Sequence, residues 1–173
     1  MEKSSFWVIL LIFSILYLAS TGCAQTVEAW TDKRVSDIRS QVAVINRGIP
    51  KFTKTSTNVE GLTLEGAEVT YYHAGKVPRR IDLQMFGETF TASGEFYYEN
   101  GTLIFAFYRH GSYDSQIGSA PKVVNAEERR FYFAADGRLI RLLIGKSELR
   151  PDDAKHSELK NEIARISRKL LGN

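Results

Sequence analysis

Three kinds of hydrophobic pattern follow one another along the chain. Phe6 to Leu18 (FWVILLIFSILYL) is apolar all round, interrupted only by Ser14. From Thr26 to Arg47 the apolar positions thin to one stripe, in which Val35, Ile38, Val42 and Ile45 recur at spacings of three and four, with Val27 and Trp30 extending it backwards. That period predicts an amphipathic helix over about 26–48. Thr26 or Thr31 supplies a cap, and Gly48 followed by Pro50 stops the helix, because glycine suits the left-handed C-terminal position and proline cannot continue. The polar stretch Lys51–Glu60 reads as a connector.

The period then changes to two. Three hairpin units are expected, each an aromatic run, a glycine turn and an aliphatic run: Val69–Tyr72 with Val77–Leu83, Glu95–Tyr98 with Thr102–Tyr108, and Arg130–Phe133 with Arg138–Ile144. Asn100-Gly101 and Asp136-Gly137 are strong hairpin signals. Pro78 belongs at a strand start or an edge. A further strand is expected over Glu88–Thr91, with Ser93-Gly94 as a bend or bulge. Arg109–Ala126, rich in glycine and serine, reads as a long loop. The turn glycines at 75, 101 and 137 are unequally spaced, which suits a meander over about 67–145 rather than a solenoid.

A last helix is expected over about 152–171. Leu159, Ile163, Ile166 and Leu170 share one face, Asp152 or Ser157 caps the start, and Arg168-Lys169 complements the dipole at the end. The order helix, meander, helix predicts an α+β domain over 23–173. It consists of five or six antiparallel strands with both amphipathic helices packed on one face of the sheet.

Composition adds two exclusions. At 173 residues the chain is one domain plus an extension on a scale of about 150 residues per domain. Lys plus Arg is 23 against 20 Asp plus Glu, and the basic pairs Lys33-Arg34, Arg79-Arg80, Arg129-Arg130 and Arg168-Lys169 lie near acids, so no nucleic-acid partner is expected. The only cysteine, Cys23, follows the apolar run, so the folded domain has no disulfide and no cysteine metal site.

A charged start, a short apolar stretch and a small-residue exit describe an export signal over 1–22. Ser20-Thr21-Gly22-Cys23 resembles the lipobox of bacterial lipoproteins, with Ser20 where that family usually places a branched aliphatic. The resemblance implies lipidation of Cys23, a membrane partner through that anchor, and a place in the bacterial cell envelope. Cleavage after Ala24, giving a secreted soluble protein, is the alternative reading, since Gly22 and Ala24 are both small. The resemblance ends at Cys23 and carries no activity.

The chemistry is sparse. Asp152 and His156 lie four apart at the last helix, but no third donor accompanies them, so the acids read as caps and no metal is expected. Glu88 and Glu95 are a formal carboxylate pair. His110, Ser112, Asp114 and Ser115 have the residue types of a hydrolytic triad, but such groups normally converge from separate elements. No glycine-rich phosphate loop occurs and no cofactor is expected. The meander's Tyr97, Tyr108 and Tyr132 with Arg130 and Arg141 offer a recognition face, because tyrosine and arginine are enriched at binding hot spots. These readings favour a non-catalytic envelope domain that binds a protein or peptide through its open sheet face and the 109–126 loop. The alternatives are a small extracytoplasmic hydrolase using that loop and a self-associating structural protein.

Overall fold

The computed structural model describes residues 4–114 and 122–172, with side chains from residue 26 onward. The leader and the Cys23 side chain therefore lie outside the described residues. Among those described, no helix is long and apolar enough to cross a membrane. The chain divides into two compact units, Met1–Asp37 and Ile38–Asn173.

Helix α1 spans Ser4–Gly48. It starts far before the expected position because no proline interrupts the run and helix-compatible residues continue through it. In the first unit Val27 and Trp30 are exposed, so the backward extension of the stripe does not hold, whereas Val35 is buried. In the second unit Ile38 and Ile45 are buried and Val42 is half-buried, as their spacing requires. A single turn, Ile49–Lys51, with Pro50 inside it, leads into the sheet.

Eight antiparallel strands follow in sequential order: β1 Thr53–Val59, β2 Ala67–His73, β3 Pro78–Phe86, β4 Phe90–Glu99, β5 Thr102–Tyr113, β6 Val123–Phe133, β7 Leu139–Ile144 and β8 Ser147–Glu148. The meander is real, but with more strands than expected. Most of the polar connector is the edge strand β1, paired with β2 from Thr53↔His73 to Val59↔Ala67. Its threonines have good strand propensity, and its exposure hides it from any hydrophobic-pattern reading. The long loop also shrinks: β5 runs to Tyr113 and β6 starts at Val123, with residues 115–121 outside the description. No bulge occurs at Ser93-Gly94, which lies in regular pairing with β3 and β5. Gly94 is bare because a Cβ there would sit 2.6 Å from the Phe96 ring.

The turn chemistry is as anticipated. Glu99 pairs with Thr102 across Asn100 and Gly101, at φ of 51° and 81°, the two positive values a two-residue primed turn demands. At the next hairpin the Gly137 N–H donates to the Ala134 carbonyl and the Ala134 N–H to the Arg138 carbonyl. This is a three-residue turn with glycine in the left-handed position.

The helices do not share a face. Helix α2, Ala154–Leu170, lays Leu159, Ile163, Ile166 and Leu170 on one side, against Val69, Ile81, Leu83, Phe96, Tyr98, Tyr108, Phe131 and Leu142. The end of α1 covers the other side: Ile45 and Val42, with Phe52, pack on Tyr97, Ile104 and Phe105. The cause is the run Phe96-Tyr97-Tyr98, which sends apolar rings to both faces. A bulge at Ile104 then sets Tyr97 opposite Phe105 and Tyr98 opposite Leu103.

Two tyrosine hydroxyls facing α2 have partners. The hydroxyls of Tyr98 and Ser167 hydrogen-bond at 3.0 Å, and Tyr71 Oη donates to the Leu170 carbonyl at the helix end. Asp153, rather than Asp152 or Ser157, caps α2 by accepting from the Lys155 N–H at 2.8 Å. Across the rim, Arg129 binds Glu127 and Glu162, joining β6 to α2.

Ile163→Ala should cost about 2–5 kcal/mol, since it opens a cavity between α2 and the sheet. Tyr98→Phe and Ser167→Ala should each cost about 1–2 kcal/mol, because each strands a buried hydroxyl; the double variant should cost clearly less than their sum. Chemical denaturation of the four proteins measures this, and strict additivity would show that the hydrogen bond contributes nothing.

Candidate functional site

Beyond the end of α1 its face of the sheet continues uncovered. Alternation brings four short rows to that surface: Thr70 and Glu68 from β2, Arg80, Asp82 and Gln84 from β3, Glu95 and Ser93 from β4, and Phe107 and Arg109 from β5. Together they line an open groove of about 450 Å³.

Arg80 organises one side. Its guanidinium donates to both oxygens of Asp82, reaches Glu95 at 3.2 Å and donates to Asn46 Oδ1 of α1 at 2.9 Å. The rings of Tyr72 and Tyr97 lie 5.7 and 5.4 Å from it. Asp82 and Glu95 are direct cross-strand partners, an arrangement that repels unless a cation lies between them. Tyr97 Oη donates to Glu95 at 2.6 Å. Burial first, and the Glu95 carboxylate second, push the Tyr97 phenol above the usual tyrosine range, so it stays a donor. Both carboxylates are thus taken up by protein donors.

The other side is aromatic and basic. Phe107 is half-buried with Arg109 and Arg130 at 5.8 and 5.4 Å from its ring centre. Glu128 holds both guanidiniums, at 2.6 Å from Arg109 and 3.0 Å from Arg130, and the Arg109 hydrogen bond draws its carboxyl below the ordinary glutamate range. Arg130 also donates to the Gly145 carbonyl at 2.7 Å. The groove therefore has an acidic flank, an aromatic floor and a cationic flank.

Of the residues expected to form a recognition face, only Arg130 borders this groove. Tyr97 is buried beneath Ile45, and Tyr132 is buried with the Arg39 guanidinium 5.5 Å from its ring. Tyr108 is buried on the opposite face, against α2. Arg141 is paired with Glu148 at 3.0 Å. Phe107, Arg109 and Arg80 were missed, although the polar–polar alternation Arg80-x-Asp82-x-Gln84 beside Ser93-x-Glu95 marks a solvent-facing surface on two neighbouring strands.

His110 and Ser112 lie on β5, not in a loop. The His110 ring stacks on Phe90 at 5.3 Å. Asp114 accepts from the Lys122 N–H at 3.0 Å and closes the base of the connection. The described hydrogen bonds do not link the three into a relay. Glu88 and Glu95 line different depressions. The chain matches no family model, no curated protein and no solved structure.

Burial, reinforced by Arg129, lowers the His110 pKa below its ordinary 6.5, against the pull of Glu162 and Glu127. A folded state that resists protonation gains stability from a neutral His110 above pH 6.5 and loses it as the pH falls through the depressed value. His110→Gln should therefore lose less melting temperature than the parent between pH 7.5 and pH 5, in thermal scans compared at each pH. An equal or larger loss in the variant would remove His110 as the source.

Proposed function

We propose that this protein is a non-catalytic envelope domain. It is exported by its N-terminal segment and held at a membrane by lipid on Cys23, and it binds a protein or peptide partner on the open half of its α1-side sheet face. The observation that carries the binding reading is the groove's composition: an aromatic ring flanked by two arginines, beside carboxylates already fixed by Arg80. Aromatic and arginine side chains supply most of the energy at protein interfaces. Side chains already held by ion pairs lose little further freedom on binding. The paired acidic and basic flanks favour a partner with both charge signs over a purely anionic ligand. The localisation is supported by the apolar run and the lipobox-like Ser20-Thr21-Gly22-Cys23.

A photo-crosslinking residue at position 107, in the full chain in native envelopes, should give one discrete protein adduct, while the same group at position 160 on α2 should not. Against the captured partner, Phe107→Ala should cost about 1–2 kcal/mol of binding, a loss of roughly tenfold, without lowering the melting temperature appreciably. Adducts identical at both positions, or none, would remove the groove as a docking surface. Mass spectrometry of the native N-terminus tests the anchor: a lipid-modified terminus at Cys23 is expected, and an unmodified chain starting at Gln25 would contradict it.

A further inference from the structure

A second surface lies at the end of the sheet where the β1–β2 loop (60–66) meets the β3–β4 turn (87–89). Leu62, Leu64 and Phe90 line an apolar cleft of about 310 Å³ between them. On the other side of Leu64 a broader depression of about 600 Å³ reaches Phe86 and shares Thr63, Leu64 and Glu65 with the first. The Leu64 side chain is 104% exposed and Phe86 40%. Val123 and Val124 are exposed at the same end, since β6 begins there opposite Tyr113 and Ser112. A lone exposed leucine needs no explanation, but exposed apolar groups gathered around a cleft mark an interaction site.

The cleft is held in shape. Thr63 Oγ1 donates to the Gly66 carbonyl at 2.6 Å, fixing the loop that presents Leu64. The Phe90 ring lies so close over Gly87 that a Cβ there would be 2.4 Å away. That ring is in turn backed by His110.

The charge around the cleft is of one sign. Glu60, Glu65, Glu68 and Glu88 line the two depressions, all exposed, and no lysine or arginine lines either, although Lys169 lies beside Gly61 of the broader one. These four make no ion pair among the described contacts, whereas Asp82, Glu95, Glu127, Glu128, Asp136, Glu148 and Glu162 each hold a cation. An apolar slot in an acidic rim repels anionic lipid and nucleic acid. It also repels its own copy, because a two-fold contact would set glutamates against glutamates. We infer that this cleft docks a basic segment of a protein partner, one that inserts an apolar side chain beside Leu64 and sets lysine or arginine against Glu65 and Glu88.

The full chain in neutral-lipid nanodiscs, with empty nanodiscs as reference, should bind a fluorescent KKLFLKK peptide saturably and reject EELFLEE. Affinity should fall about tenfold in Glu65→Gln/Glu88→Gln and in Leu64→Ser, and should weaken as salt rises from about 0.05 to about 0.3 M. Phe107→Ala should leave this binding unchanged, which separates it from the sheet-face groove. Equal binding of the two peptides, or unchanged affinity in both cleft variants, would overturn the inference. So would a dimer of the chain alone that Leu64→Ser dissolves, which would give the cleft to a second copy. Recruitment to anionic vesicles that depends on Leu64 would give it to a lipid surface.

Discussion

Three consecutive aromatic side chains on one strand cannot all point the same way. Phe96, Tyr97 and Tyr98 are each almost fully buried, and alternation puts Tyr97 on the face opposite the other two. The sheet therefore has two apolar surfaces to cover and two helices to do it. Helix α2 takes the larger surface, and the last turns of α1 take a smaller one. The shorter cover leaves the rest of its face to polar residues, so the groove exists because α1 ends where it does.

Arg80 is where that cover meets the open face. It ties α1 to β3 and β4 through Asn46, Asp82 and Glu95 and is sandwiched by two tyrosine rings. Only a planar, multi-donor cation can satisfy that many partners at once, and a lysine there would leave the Asp82–Glu95 repulsion largely uncompensated. Desolvation offsets much of the attraction in such a partly buried network, so its net contribution to stability is smaller than its number of contacts suggests.

The regular parts of the fold were readable from residue spacing. The stripe of α2, the Val35–Ile45 part of the α1 stripe, the Asn100-Gly101 turn and the Gly137 turn depend on local chemistry and came out in place. What was not readable depends on partners distant in sequence. The strand at Thr53–Val59 carries no burial signal because it lies at an edge. The bulge at Ile104 sets the register of Phe105 and Phe107 against β4 and cannot be inferred from alternation; both then lie on the α1 side, and only Phe105 is covered. The tyrosines expected on a recognition face, Tyr97, Tyr108 and Tyr132, are all buried: side-chain type was visible, but what covers each face was not. Leu64 carries no signal of its own in the sequence, because the cleft exists only where its loop meets the β3–β4 turn.

Every strand pairs with the one made just before it, so the sheet has no long-range crossing to wait for. As a chain emerges from its N-terminus, hairpins can close one after another with only short loops to order. The exception is the last element. Tyr98, Phe131 and the other rings of the larger face have no cover until Leu159–Leu170 has been made. A sheet formed early thus stays open on one side, and completion of the fold is timed by the final helix. A chain lacking that helix would present a broad aromatic surface to whatever it meets, which makes the C-terminal residues the gatekeeper of its solubility.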